Sequence, residues 1–185
     1  MSRYKYKLMS LVVAIVVLAM STELPTQGAP VAYAIPCGVN CETVTNSPTV
    51  SLTLNGTDQT VSYILTLTLN HNGEEGWNVT ITSTQFQTGT TPTRTLPATA
   101  SSITGVTAVC TAGQTCTTMP QNGITYPVAV PAGQPAPTAV KFYNAAATSG
   151  KGTFDISTTI NITVPANTYA GSYTSTITLA RVSGP

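Results

Sequence analysis

His71, in the stretch HNGEEG, is the single histidine of the 185-residue chain, so nucleophilic or acid–base chemistry of the usual kind would have to run through it. A triad needs an acid to orient the imidazole and a hydroxyl or thiol within its reach. Asp58, Glu74, Glu75 and Asp155 are the acids near expected strands, yet no G-x-S-x-G, H-E-x-x-H or phosphate-loop pattern occurs. His71 therefore reads as a solvated turn histidine. Asn72, Glu74 and Glu75 could join it around calcium, but their spacing matches no known calcium loop. Glu42, Asp58 and Asp155 are scattered, and nothing marks them as a glycosidase carboxylate pair. The chain is expected not to be an enzyme and to hold no metal or cofactor; a secreted hydrolase would rest on export alone.

Cys37, Cys41, Cys110 and Cys116 are the four cysteines. Three disulfide connectivities are open to them, and the local pairing Cys37–Cys41 with Cys110–Cys116 is favoured. Each such short loop would contribute about 2–2.5 kcal/mol by chain entropy. A four-cysteine zinc site fits poorly, because the second gap is wide and the two pairs lie far apart. Trp77 is the only tryptophan. In GWNVTIT, Trp77, Val79 and Ile81 alternate with Asn78, Thr80 and Thr82, which puts the ring on the apolar face of a strand. An exposed Trp77 would instead be a platform for stacking on sugar.

The N-terminus orders these residues into a larger plan. Arg3, Lys5 and Lys7 precede the apolar run LMSLVVAIVVLAM, and a polar stretch then ends in Ala32-Tyr33-Ala34. This is the layout of a secretory signal peptide spanning 1–34, cut after Ala34; an uncleaved anchor is the alternative, although the run is short for a span. Export places the cysteines in an oxidising compartment and the protein outside the cell or at its surface. Removal of 1–34 leaves four basic and five acidic residues, with no basic patch for a nucleic acid. A membrane would be met only through an uncleaved leader. No LPxTG-like sorting signal occurs, so surface retention is expected to be non-covalent. The Asn55, Asn78 and Asn161 sequons are common accidents in a chain that is about one-fifth Thr.

Residues 35–48 read as an N-terminal extension and 49–185 as one domain. Alternation recurs in TVSLTL (49–54), VSYILTLTL (61–69) and WNVTITSTQF (77–86), the last two joined as an expected hairpin. From about 88 to 139, Thr, Pro, Gly and Ala predict surface loop, with short strands at 103–109 and 124–130. FDISTTINITV (154–164) and SYTSTITLARV (172–182) alternate again. No helical period is sustained, so the fold class expected is all-β: a single antiparallel β-sandwich or barrel-like domain with a long loop region. Thr on the wet face of each sheet explains its abundance.

Three features in order resemble the WxL domain of Gram-positive surface proteins. Trp77-Asn78-Val79 with Phe86 is similar to the first motif; Ile162-Thr163-Val164-Pro165 and Ala170-Gly171-Ser172-Tyr173 are similar to the closing segment. Val79 stands where that motif has Leu, and Leu179-Ala180-Arg181 replaces the second Trp-x-Leu. The resemblance implies a secreted, non-catalytic domain bound non-covalently to cell-wall polysaccharide or peptidoglycan, or to other surface proteins. Trp77 and Tyr173 are its candidate ligand-contacting residues. The alternative expectation is a structural subunit of a surface fibre or matrix, assembled by β-strand exchange.

Overall fold

In the computed structural model, residues 8–18 and 42–185 are described. The alternating stretches become its longest strands, because a two-residue period lets one face pack while the other meets water. β1 is Leu8–Leu18, β2 Glu42–Val44, β3 Thr49–Thr53, β4 Gln59–His71 and β5 Trp77–Thr84. β6 (Gln87–Thr88), β8 (Val128–Ala129) and β9 (Ala132–Gly133) are short, and β7 is Ser101–Cys110. β10 (Val140–Ala145), β11 (Gly152–Val164) and β12 (Gly171–Ser183) complete the order.

The strands form two sheets, neither of them closed. The larger runs β10-β5-β12-β1-β3, with β6 beside β12 and β9 beside β5; the smaller runs β2-β4-β11-β7-β8. Pairing is antiparallel except between β1 and β3 and between β5 and β9. Register in the smaller sheet aligns its apolar rows: Ile156 faces Leu67 and Ala108, and Ile160 faces Tyr63 and Ile103. Trp77, Val79, Ile81, Tyr173, Ile177 and Leu179 of the larger sheet join the same buried cluster as Leu65, Leu67, Phe154 and Ile162 of the smaller. One core thus lies between rows drawn from both sheets.

Several expectations change here. The stretches 61–69 and 77–86 are not a hairpin: β4 belongs to the smaller sheet and β5 to the larger. Each carries an apolar row, and the link from His71 to Trp77 carries the chain from one side of the core to the other. The link from Val164 to Gly171 does the same between β11 and β12. The short strand expected at 103–109 is present and longer, the ten-residue β7, since no proline falls between Pro97 and Pro120. The 124–130 strand shrinks to β8, beside cis Tyr126–Pro127. β2 lies inside the expected extension, paired with β4. The apolar run expected as the core of a leader is β1, set between β12 and β3.

The outer face of β5 is partly covered as well. Asn78 and Thr82 on it are buried: Asn78 Nδ2 donates to Gly184 O (2.8 Å), and Thr82 Oγ1 donates to Pro137 O (2.7 Å) in the proline-rich segment 131–137. The same segment accepts from Ser83 N–H at Pro131 O (2.9 Å). On the outer face of the smaller sheet, hydroxyls and amides bond across strands. Thr68 and Thr111 both donate to Asp155 Oδ1 (2.7 and 2.9 Å), Asn70 Nδ2 donates to Thr153 Oγ1 (2.7 Å), and Ser62 Oγ donates to Asn161 Oδ1 (2.8 Å).

Two isoleucines test this assignment of faces. Ile156 is fully buried and Ile64 is 54% exposed. Ile156→Ala is expected to cost about 2–5 kcal/mol, and Ile64→Ala to stay within about 0.5 kcal/mol, both read from urea midpoints. Equal losses would reverse the facing of β4 or β11.

Candidate functional site

A cleft of about 450 Å³ opens where β11 ends and β12 begins, the end of the molecule opposite Trp77. One wall is the loop after β6, with Thr93, Arg94 and Thr95; the other is the β11–β12 turn, with Asn167, Thr168 and Tyr169. Main-chain bonds fix the first wall. Thr88 N–H donates to Arg94 O (2.9 Å), Arg94 N–H donates to Thr88 Oγ1 (2.9 Å), and Leu96 N–H donates to Phe86 O (3.0 Å). Gln85 Nε2 donates to Leu96 O (2.6 Å). The second wall closes on itself through Thr168 N–H to Pro165 O (3.0 Å).

The walls meet at Tyr169. Its ring is 59% exposed, and the Arg94 guanidinium carbon lies 3.9 Å from the ring centroid, within cation–π range. Below it, Tyr173 is 1% exposed, and its hydroxyl donates to Tyr169 O at 2.9 Å. Burial pushes the Tyr173 phenol up, with Arg94 acting against that rise. The cleft thus presents one accessible aromatic ring, one guanidinium and a rim of hydroxyls and amides. Such a surface can stack on the apolar face of a ring and hydrogen-bond its hydroxyls.

The residues picked from sequence fall elsewhere or beneath this surface. Trp77 is 0% exposed; its Nε1–H donates to Gly150 O at 3.0 Å, and its ring lies 5.7 Å from that of Tyr143. Its faces are used in packing, so stacking on sugar is closed to it. Tyr173 is likewise buried and acts by holding the Tyr169 main chain. Tyr169 and Arg94 were the residues to find: the turn PANTYAG carried an aromatic, but nothing in the sequence brought a residue 75 positions upstream beside it.

Cys110 and Cys116 form a disulfide, with Cα atoms 5.9 Å apart; Cys37 and Cys41 lie outside the described residues. His71 is not solvated: as the last residue of β4 it is 1% exposed. Arg181 Nη1 is 3.3 Å from its Nδ1, and its buried Nε2 has no partner among the described residues. Glu74 pairs with Lys151, and Asp58 accepts from Ala166 N–H (2.8 Å). With Asp155 engaged in the hydroxyl network, Glu74, Asp58 and Asp155 serve separate local bonds. No group of three His, Cys, Asp or Glu side chains gathers among the described residues.

No protein-family model matches the chain, and no curated protein or solved structure matches it.

Two measurements follow from this geometry. Gly150 has φ +66°, and a Cβ there would lie 2.8 Å from Trp77 Nε1 and 2.7 Å from the Ala145 methyl. Gly150→Ala is expected to destabilise by at least about 1–3 kcal/mol. In the parent protein, indole emission should be that of a buried ring, unmoved by wall fragments; a red-shifted, ligand-sensitive spectrum would overturn the packing described.

His71 sets a pH dependence. Burial lowers its pKa from 6.5, Glu75 opposes, and Arg181 and Lys151 add to the lowering. The unfolded chain then takes up a proton that the native state refuses, so stability is full above about pH 6.5 and falls as pH drops below it. Urea midpoints at pH 7.5 and 5.5 should converge in His71→Gln and differ in the parent; identical shifts in both would refute the assignment.

Proposed function

We propose that the chain is an exported, non-catalytic β-sandwich module that attaches non-covalently to the cell surface by binding wall glycan, either peptidoglycan strands or a wall polysaccharide. The exposed Tyr169 ring beside Arg94, at the mouth of a polar cleft, carries this reading. Pyranose rings present apolar C–H faces edged with hydroxyls, and an aromatic ring with nearby amide, hydroxyl and guanidinium groups complements both features. The WxL-like closing segment supports it, since Pro165 and Tyr173 both line the cleft. The leader-like layout of 1–34 supports export. The alternative, a structural subunit of a surface fibre or matrix, draws on the position of β1 between β12 and β3.

Sedimentation with purified peptidoglycan tests the reading. Tyr169→Ala and Arg94→Ala should each lower retention about tenfold, equivalent to about 1.4 kcal/mol, with unchanged melting temperature. Tyr173 keeps its hydrogen bond in Tyr169→Ala because the acceptor is main chain. Failure of the parent protein to sediment with the wall at moderate salt would refute wall binding.

A further inference from the structure

β1 holds an unusual place. The segment with the charge and hydropathy layout of an export leader is an inner strand of the larger sheet. Ten positions, Leu8↔Ala180 to Val17↔Gly171, pair it antiparallel with β12, and five, Ala14↔Thr49 to Leu18↔Thr53, pair it parallel with β3. Met9, Leu11, Val13 and Ile15 stand opposite Leu179, Ile177, Ser175 and Tyr173, the core-facing row of β12. Ile15 and Val17 stand opposite Val50 and Leu52, which pack against the core. Loss of β1 would leave about 33 Å of the β12 edge open, a slot facing β3 over the half opposite Ala14–Leu18, with main-chain groups unpaired and an apolar floor wetted. Such a gap calls for another strand.

The sequence between β1 and β2 offers one. From Val31 to Cys41, Val31, Tyr33, Ile35, Cys37, Val39 and Cys41 alternate with Ala32, Ala34, Pro36, Gly38 and Asn40. Eleven residues extend about 36 Å, the length of the slot. A cut after Ala34 leaves Ile35–Cys41 of this arm, and any earlier cut below Val31 leaves all of it. Direction decides which slot it can enter. β1 runs from the Trp77 end of the molecule toward the Tyr169 end, as its pairing with β12 requires. The arm joins β2 at Glu42, beside Leu69 at the Trp77 end and in the smaller sheet. Folded back into its own slot, the arm would run opposite to β1 and would have to cross between sheets. Pointing away from its own body, it enters the slot of a copy stacked below, runs in the direction of β1, and leaves at that copy's Tyr169 end.

We propose that β1 is a stand-in strand, and that its removal opens a slot taken by the 31–41 arm of a second copy, giving head-to-tail chains. Donor and acceptor surfaces differ, so the contact does not close on itself and continues as a filament. The inference rests on β1 and not on the cleft.

The test uses the full chain with a site-specific protease sequence inserted between Thr26 and Gln27. The uncut protein should be monomeric by light scattering. After cutting, it should form filaments visible by electron microscopy, and excess lysine-flanked peptide of residues 8–18 should suppress them at least tenfold. The Tyr33→Asp, Ile35→Asp double variant, once cut, should bind labelled 8–18 peptide yet remain unassembled, while Tyr169→Ala should assemble normally. Cut protein that stays monomeric and takes up no peptide, or an arm variant that still forms filaments, would overturn the proposal.

Discussion

Every second residue of β11 from Phe154 to Val164 is buried, and the molecule is built around that row. β11 is the middle of the smaller sheet, with β4 and β7 on either side. Its apolar side chains share one buried cluster with Trp77, Ile81, Ile177 and Leu179 of the larger sheet. The constraint is one of geometry: a pleated strand can hide only alternate residues, so each buried row needs apolar partners from outside its own sheet. Both links that carry the chain between sheets, His71 to Trp77 and Val164 to Gly171, serve this demand.

The same requirement explains what could be read from the residues alone. β4, β5, β11 and β12 follow from alternation, and Trp77 falls in the core where its pattern put it. Alternation names a buried face but not the sheet that owns it, so β4 and β5 looked like a hairpin although they lie on opposite sides of the core. β7 was underestimated because Thr and Gly dilute its apolar row, and β10 because its alternation is broken by a bulge at Lys141/Tyr143. His71 sits in a polar stretch yet ends a strand, so its burial depended on Arg181, 110 residues away. The cleft was hidden for the same reason: Arg94 and Tyr169 meet only once β6 is paired with the start of β12.

The candidate site and the core are thus separate investments of the sequence. Tyr173 links them, with its ring in the packed row and its hydroxyl under the Tyr169 turn. The aromatic residue that carries a motif is structural, and its unremarked neighbour presents the surface. The proline-rich segment beside β5 has a comparable role: it accepts from the buried Thr82 hydroxyl, which would otherwise need water there.

The cross-strand bonds on the outer face of the smaller sheet reach beyond architecture. Apart from the Asp155 carboxylate, their members are hydroxyls and amides, which neither ionise over the ordinary range nor gather a counterion cloud. A coat knitted in this manner should keep its form in brine as well as in dilute media.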